Sequence, residues 1–265
     1  MMPDETRSAD YTVEELMISV LSRQFDSTDQ VCNGMASFIP VSAIMLARMT
    51  HAPDLTWLAG AGGLDPYDSV VPDSTLESAL WSSAVMYVEQ YQLFWDLAMR
   101  GKWLQKFCVG AAQIDRFGNA NNSVIGADYD APRVRLPGTA GLGDMGSIGK
   151  RLFFWSTRHT PRTFVERVDF IGCAGWLDGG DSRRAAGLQG GPELVITDLA
   201  VMDFDEIDHR MRLRSVHPGI QVSDVVAATG FDLVIPDDVP QTQIPSATDV
   251  RLIREVIDPH RTRVR

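Results

Sequence analysis

Short strand-like apolar runs alternate with runs of helical period from one end of the 265-residue chain to the other, and no other feature limits the fold so strongly. A chain patterned this way buries its apolar faces by packing helices against a sheet. Thr12-Val-Glu-Glu15 is a capping box that opens a helix to about Ser22. Phe38–Met49 follows helical period, with Ile39, Ala43, Leu46 and Ala47 on one face. Strand-like runs lie at Val31–Gly34, Leu55–Ala59, Lys106–Gln113, Asn119–Ile125, Arg151–Trp155, Val165–Ile171 and Glu193–Leu199. Val201–Phe204 and Met211–Ser215 flank the polar stretch Asp205–His209, which predicts a hairpin. Leu76–Met99 reads as a long apolar helical stretch, unbroken or broken once, Val222–Thr229 as a helix closed by Gly230, and Thr248–Ile257 as the last helix. Strands outnumber helices and several follow one another directly. The expected fold is therefore α/β, an open mixed sheet flanked by helices. No linker interrupts the pattern, so one domain over residues 1–265 is expected, with 1–10 and 258–265 frayed.

The net charge of −11 argues against a nucleic-acid partner, because phosphate binding is driven by Lys and Arg. Met1–Asp10 lacks the basic and apolar regions of a secretion signal, and no apolar stretch is long enough to span a membrane. A cytoplasmic protein with no membrane association is the expectation. Cys32, Cys108 and Cys173 lie far apart, which predicts buried reduced thiols and not a disulfide framework or a zinc site. The five histidines show no metal-ligand spacing, so no metal is expected. His51, at a helix end, and His217, in His-Pro-Gly, read as structural.

Three segments could carry chemistry. Gly60-Ala61-Gly62-Gly63 follows a predicted strand, where glycines let the backbone turn sharply and approach a ligand; a tight turn without a ligand fits equally well. Gly110–Asn119 places Gln113, Asp115, Arg116 and Asn119 at one strand end, as a plain hairpin could too. Pro137-Gly138-Thr-Ala-Gly141-Leu-Gly143-Asp144 precedes a short helix near Asp144–Ile148; its three glycines could form an anion nest, while an ordinary strand-to-helix turn with Asp144 as N-cap fits the spacing slightly better. Glu77, Glu89, Glu166 and Asp169 are carboxylates beside apolar runs that sequence cannot pair.

Six segments in shared order carry a resemblance: Thr50–Asp54, Gly110–Asn119, Arg135–Gly138, Phe164–Ile171, Val195–Leu199 and His217–Gly219. Over Tyr11–Leu233 the chain resembles the β subunits of the glutaconate and 3-oxoacid CoA-transferases. The resemblance implies the CoA-transferase fold, a homologous α subunit in an αβ or α2β2 assembly, and an acyl-CoA substrate. Coenzyme A enters as part of that substrate, with no permanently bound cofactor. In this family a glutamate after an early strand attacks the thioester, forming an anhydride and then a glutamyl-CoA thioester. Ala61 stands at the matching place, with Gly60 as the other alignment, and no Asp or Glu occurs between Asp54 and Asp65.

The resemblance also makes Gly60, Ala61, Gly62, Gly63, Gln113, Asn119, Gly141, Gly143 and Asp144 candidate substrate or CoA contacts. Backbone N–H groups near Gly62, Gly63 and Gly141 are candidate enolate donors. The branch of steroid ring-cleaving CoA hydrolases, which resemble transferase subunits without the nucleophile, fits the absent glutamate. That predicts hydrolytic, retro-Claisen-type C–C cleavage in steroid breakdown, with the acid/base group on the α subunit. A transferase β subunit acting on a dicarboxylic or 3-oxo acid, and a non-catalytic scaffold subunit, are the alternatives.

Overall fold

The protein is seen in a computed structural model that describes residues 10–60, 62–68, 70–72, 79–100 and 102–261. The chain divides into two compact units, one of residues 1–90 with 243–265 and one of residues 91–242. Ala61, Glu77 and both chain ends lie wholly or partly outside the described residues.

In the first unit, α1 (Val13–Ser22) starts with the predicted capping box: Glu15 N–H donates to Thr12 Oγ1 at 3.3 Å, and Thr12 N–H to Glu15 Oε2 at 2.8 Å. Strand β1 (Gln30–Asn33) leads to α2 (Phe38–Met49). Pro40 falls in the first turn of α2, where its missing N–H costs no helical bond. Leu16, Met17, Ile18 and Leu21 of α1 and Ile39 and Ile44 of α2 are fully buried where the helices pack. Strand β2 (Thr56–Ala59) runs parallel to β1, with Val31 opposite Trp57. It continues antiparallel into β3 (Gly63–Leu64), which pairs with the short edge strand β4 (Met86–Tyr87). The C-terminal helix Ala247–Leu252, prolonged by wide turns to Ile257, returns to this unit.

In the described part of Leu76–Met99 the helical stretch is broken, and the break is a strand. That part holds α3 (Ala79–Ser82), β4, and a separate wide-turned helix at Gln92–Arg100. Val85, Tyr87 and Val88 favour extended backbone, and Val85 N–H to Leu64 O at 2.9 Å and Val88 N–H to Gly62 O at 2.7 Å tie them beside β3.

The second unit is built on β5 (Lys106–Gly110). Next come β6 (Gln113–Asp115), β7 (Ala120–Asn121), β8 (Val124–Ile125), β9 (Val134–Arg135) and α4 (Leu142–Ile148). Then follow β10 (Arg151–Ser156), β11 (Phe164–Val165), α5 (Ser182–Ala185), β12 (Gly191–Thr197), β13 (Ala200–Phe204), β14 (Met211–Val216) and α6 (Val222–Ala228). Here the order is β14-β13-β12-β10-β5, parallel at β5–β10–β12 and antiparallel from β12 to β14. The mixed sheet and the β13–β14 hairpin are as the pattern predicts. Phe107, Phe153, Phe154 and Phe164 are buried in this unit. Gly110 ends β5 early, so the run Lys106–Gln113 is two strands, and Asn119–Ile125 is likewise two short ones. Val165–Ile171 is strand for its first residue alone. Gly230 is not a left-handed helix cap. Its N–H reaches Phe164 O at 2.8 Å, and a Cβ there would lie 2.4 Å from that oxygen.

Among the described residues no helix is long and apolar enough to cross a membrane, and no cluster of potential metal ligands occurs. The three cysteines are free and buried, and burial pushes the Cys32 and Cys173 thiols up to about 12.

Candidate active site

The parallel strands β1 and β2 end side by side, so Asn33 and Gly60 meet at one sheet edge. Asn33 is fully buried; its Oδ1 accepts from Trp57 Nε1 at 2.7 Å and its Nδ2 donates to Gly34 O at 2.8 Å. A Cβ at position 60 would lie 2.3 Å from Asn33 O, so glycine is required for the strand ends to approach. Gly62 has φ +106°, and its N–H closes the turn onto Ala59 O at 2.8 Å. A Cβ on Gly62 or Gly63 would collide with Val88 O at 2.3 Å or Leu80 O at 2.4 Å. Steric demand accounts for all three described glycines of the turn. Because the Gly62 N–H is engaged, it is not the free enolate donor expected from the sequence.

The carboxylate nearest in sequence after the turn is also accounted for. Asp65 Oδ1 accepts from Trp57 N–H at 2.8 Å, and Asp65 N–H donates to Trp57 O at 2.7 Å. Its acid group is held beside the middle of β2, away from the strand's C-terminal end. Trp57→Phe removes the indole donor and leaves Asn33 Oδ1 buried without it, so a loss of about 1–2 kcal/mol is expected in urea unfolding.

In the second unit the polar strand end forms two linked networks. Gln113, 5% exposed, accepts at Oε1 from Asn121 Nδ2 at 2.7 Å and Asp169 N–H at 3.2 Å, and donates from Nε2 to Asp169 Oδ2 at 3.1 Å. Asn119 Oδ1 accepts from the N–H groups of Gly175 and Leu177 at 2.9 and 3.1 Å, while Nδ2 donates to Leu177 O and to Asp115. Burial raises the Asp115 carboxyl pKa, against the opposing pull of hydrogen bonds from Asn119 and from the Phe117 and Asn119 backbone. Both amide side chains are thus occupied by the fold. Asn122 adds a clamp across the end of β5: Oδ1 accepts from Ala112 N–H at 2.7 Å and Nδ2 donates to Gly110 O at 2.9 Å.

The glycine segment leads into α4, whose N-cap is Gly141, so Asp144 is not the cap; it is exposed in the first turn. The helix begins earlier because Leu142 N–H bonds Thr139 O at 2.9 Å and Met145 N–H bonds Gly141 O at 2.9 Å. A Cβ on Gly141 would meet the Phe94 ring at 2.5 Å, whereas one on Gly143 would meet nothing nearer than 3.8 Å. The structure therefore gathers Gln113, Asn121 and Asp169 in one network and Asn119 with Asp115 in another. Gly60, Gly62 and Gly63 stand together in the other unit. Sequence reasoning did not select Asn33 or the Trp57 indole; an Asn ending a buried strand beside a glycine turn is the signal that could have found them.

The coenzyme A transferase family matches residues 15–228. The chain is 32% identical over 251 residues to the B-type subunit of 3-oxoadipate CoA-transferase from Pseudomonas knackmussii, covering 92% of each. It is 32% identical over 241 residues to the cholesterol ring-cleaving hydrolase IpdB subunit of Mycobacterium tuberculosis, covering 91% of this chain and 92% of that one. The crystal structure of glutaconate CoA-transferase from Acidaminococcus fermentans superposes with a TM-score of 0.88 at 27% identity, over 97% of this chain and 98% of that one. The decarboxylase AibA/AibB gives 0.83 at 30% identity, over 96% and 98%. The protein belongs to the coenzyme A transferase family.

Proposed function

We propose that this chain is the B-type subunit of a two-chain CoA-thioester hydrolase that opens a cyclic β-dicarbonyl, steroid-derived ring by retro-Claisen-type C–C cleavage. The observation that carries this reading is the turn at Gly60–Gly63. No Asp or Glu lies between Asp54 and Asp65, and Asp65 is bound to the Trp57 backbone. A transferase needs a carboxylate nucleophile at such a strand end. The similarity to a cholesterol ring-cleaving hydrolase subunit supports the substrate class. Water adds its oxygen to a ring carbonyl, the adjacent C–C bond breaks, and the leaving carbon takes a proton. The CoA thioester survives in the product, and the base that activates water belongs to the partner. In the first unit, Gly60, Ala61, Gly62 and Gly63 are proposed substrate contacts; in the second unit, taken by itself, Gly141, Gly143 and Asp144 are proposed contacts, and Gln113 and Asn119 are proposed to hold backbone of that unit.

The similarity to the B-type subunit of 3-oxoadipate CoA-transferase favours a second reading, transfer of CoA between acids. The two differ in a covalent step. The purified two-chain complex is incubated with a ring-bearing β-dicarbonyl CoA thioester in heavy-oxygen water. Hydrolysis yields a product that gains one water, carries the label in a new carboxylate and keeps its thioester. Borohydride then leaves both chains unmodified. A glutamyl-CoA adduct trapped by borohydride, with CoA passing to an added acid, would overturn the hydrolase reading.

A further inference from the structure

Beside the last turns of α2 the first unit holds a cavity of about 260 Å³, whose wall includes Met45, Arg48, Met49, Trp57, Pro66 and Asp68. Met45 and Trp57 are buried, so the inner part of the wall is apolar. Pockets that enclose drug-sized ligands run from about 300 to 1,000 Å³, so this one suits a small metabolite and is too small for an acyl-CoA. None of Gly60, Gly62 and Gly63 lines it, so it is distinct from the glycine turn.

Two side chains of opposite charge belong to this wall. Arg48 Nη1 donates to Pro66 O at 3.2 Å and stands 3.7 Å from Asp65 Oδ1, which already accepts from the Trp57 N–H. Among the described residues Nε and Nη2 of Arg48 have no partner, and neither has the Asp68 carboxylate. The Arg48 side chain is 27% exposed, so its unfilled fork is half withdrawn from water and fits a carboxylate. A plain carboxylate is disfavoured all the same. Arg48 is set against two acids, Asp65 and Asp68, at the carbonyl end of α2, whose dipole favours positive charge. A plain amine would meet Asp68 and leave the Arg48 fork empty. One molecule that carries both charges, with an apolar body against Met45, Met49 and Trp57, matches the whole wall.

We propose that this cavity binds a free α-amino acid with an apolar side chain, its carboxylate on Arg48 and its ammonium on Asp68. The occupant packs on Trp57, the side chain that also donates to Asn33 Oδ1 at the end of β1. The site does not depend on which reaction the protein catalyses.

Equilibrium dialysis of the full-length chain tests it with leucine, phenylalanine, isocaproate (leucine without its ammonium) and isoamylamine (leucine without its carboxylate). Leucine is expected to bind at least about tenfold more tightly than isocaproate or isoamylamine. Arg48→Met is expected to weaken leucine by about tenfold or more, and Arg48→Lys, which keeps the charge without the planar fork, to weaken it less. Asp68→Asn is expected to weaken leucine by about tenfold and to tighten isocaproate, since it removes a negative charge from the wall. Loss of folding cannot produce that opposite pair of shifts, and thermal melting of each variant checks folding directly. Absence of binding by both leucine and phenylalanine at millimolar concentration would overturn the proposal. So would isocaproate or isoamylamine binding as tightly as leucine, or an unchanged leucine affinity in either Arg48→Met or Asp68→Asn.

Discussion

Replacing Arg183 with Met lowers stability by at least about 3 kcal/mol, the range expected when buried polar groups lose their partners. Arg183 is 1% exposed, and its guanidinium donates five hydrogen bonds to backbone carbonyls. They run to Gly190 O at 2.8 Å, Ala174 O and Gly175 O at 2.9 Å, Gly146 O at 2.8 Å and Gln189 O at 2.7 Å. The side chain thus joins α4, the loop before α5 and the loop before β12. Met fills much of the same volume but leaves five oxygens without these donors. Lys carries three donors on one nitrogen and cannot span the planar fork, so Arg183→Lys recovers only part of the loss. Burial lowers the Arg183 pKa, with the Cys173 side chain pulling the other way. The urea midpoints of the three proteins check the order: wild type, then Lys, then Met. A Met variant as stable as wild type would mean that the loops find other partners.

The second large effect is acid destabilisation through His159. This ring is buried at 4% exposure, between Thr197 Oγ1 at 2.9 Å from Nδ1 and Thr229 Oγ1 at 3.0 Å from Nε2. Burial and then the neighbouring His217 lower its pKa to about 4, from 6.5 for an unperturbed ring. Burial also lowers the pKa of His217, against the opposing effect of its hydrogen bond to Thr197 O. Because the folded pKa of His159 lies below the unfolded one, the unfolded chain binds more protons between them. The stability contribution is complete above about pH 6.5 and is lost as pH falls from there toward about 4. For His159 alone the span corresponds to about 3 kcal/mol. His159→Gln keeps hydrogen-bonding groups near both threonines and cannot titrate, so its stability should vary less across that window, whatever its starting value. Urea melts at a series of pH values between 4 and 7 measure the difference in slope. Parallel curves for the two proteins would assign the acid response to other groups.

Much of the fold was legible because its signals are local. The capping box at Thr12, the amphipathic run Phe38–Met49 and the hairpin of β13 and β14 each follow from spacing within one short continuous segment. The segment Leu76–Met99 was misread because an apolar run does not declare its period when its burial is uneven. Tyr87 is exposed and Leu93 is buried, and β3 captures Val85–Val88 as an extended segment. Asp144 was misplaced by three residues because Thr139 O bonds Leu142 N–H and starts the helix earlier. In the candidate site, the glycines of the Gly60–Gly63 turn were visible as a motif. That Gly60 is needed by Asn33, and Gly62 by Val88, was not, because those partners are 27 and 26 residues away along the chain.

Adjacent Arg183 and Arg184 show where sequence stops. Both lie in α5, about 100° apart around the helix axis. Arg184 is exposed and pairs with Asp181 at 2.6 Å, while Arg183 is buried among carbonyls. Nothing in Ser-Arg-Arg-Ala distinguishes them, since burial is set by which helix face meets the loops of other elements. The same holds for Gln113 and Asn119, which the sequence marked as polar groups at a strand end and the tertiary structure engaged with Asp169, Asn121, Gly175 and Leu177. The sequence by itself determined the α/β pattern, the family and the lack of a carboxylate between Asp54 and Asp65, because these depend on residue type and order. Tertiary structure alone decided that Asp65 is held beside Trp57, that the Gly62 N–H closes its own turn, and that the β4 edge stands exposed next to it. Those outcomes depend on distances between segments remote in the chain, which sequence order does not specify.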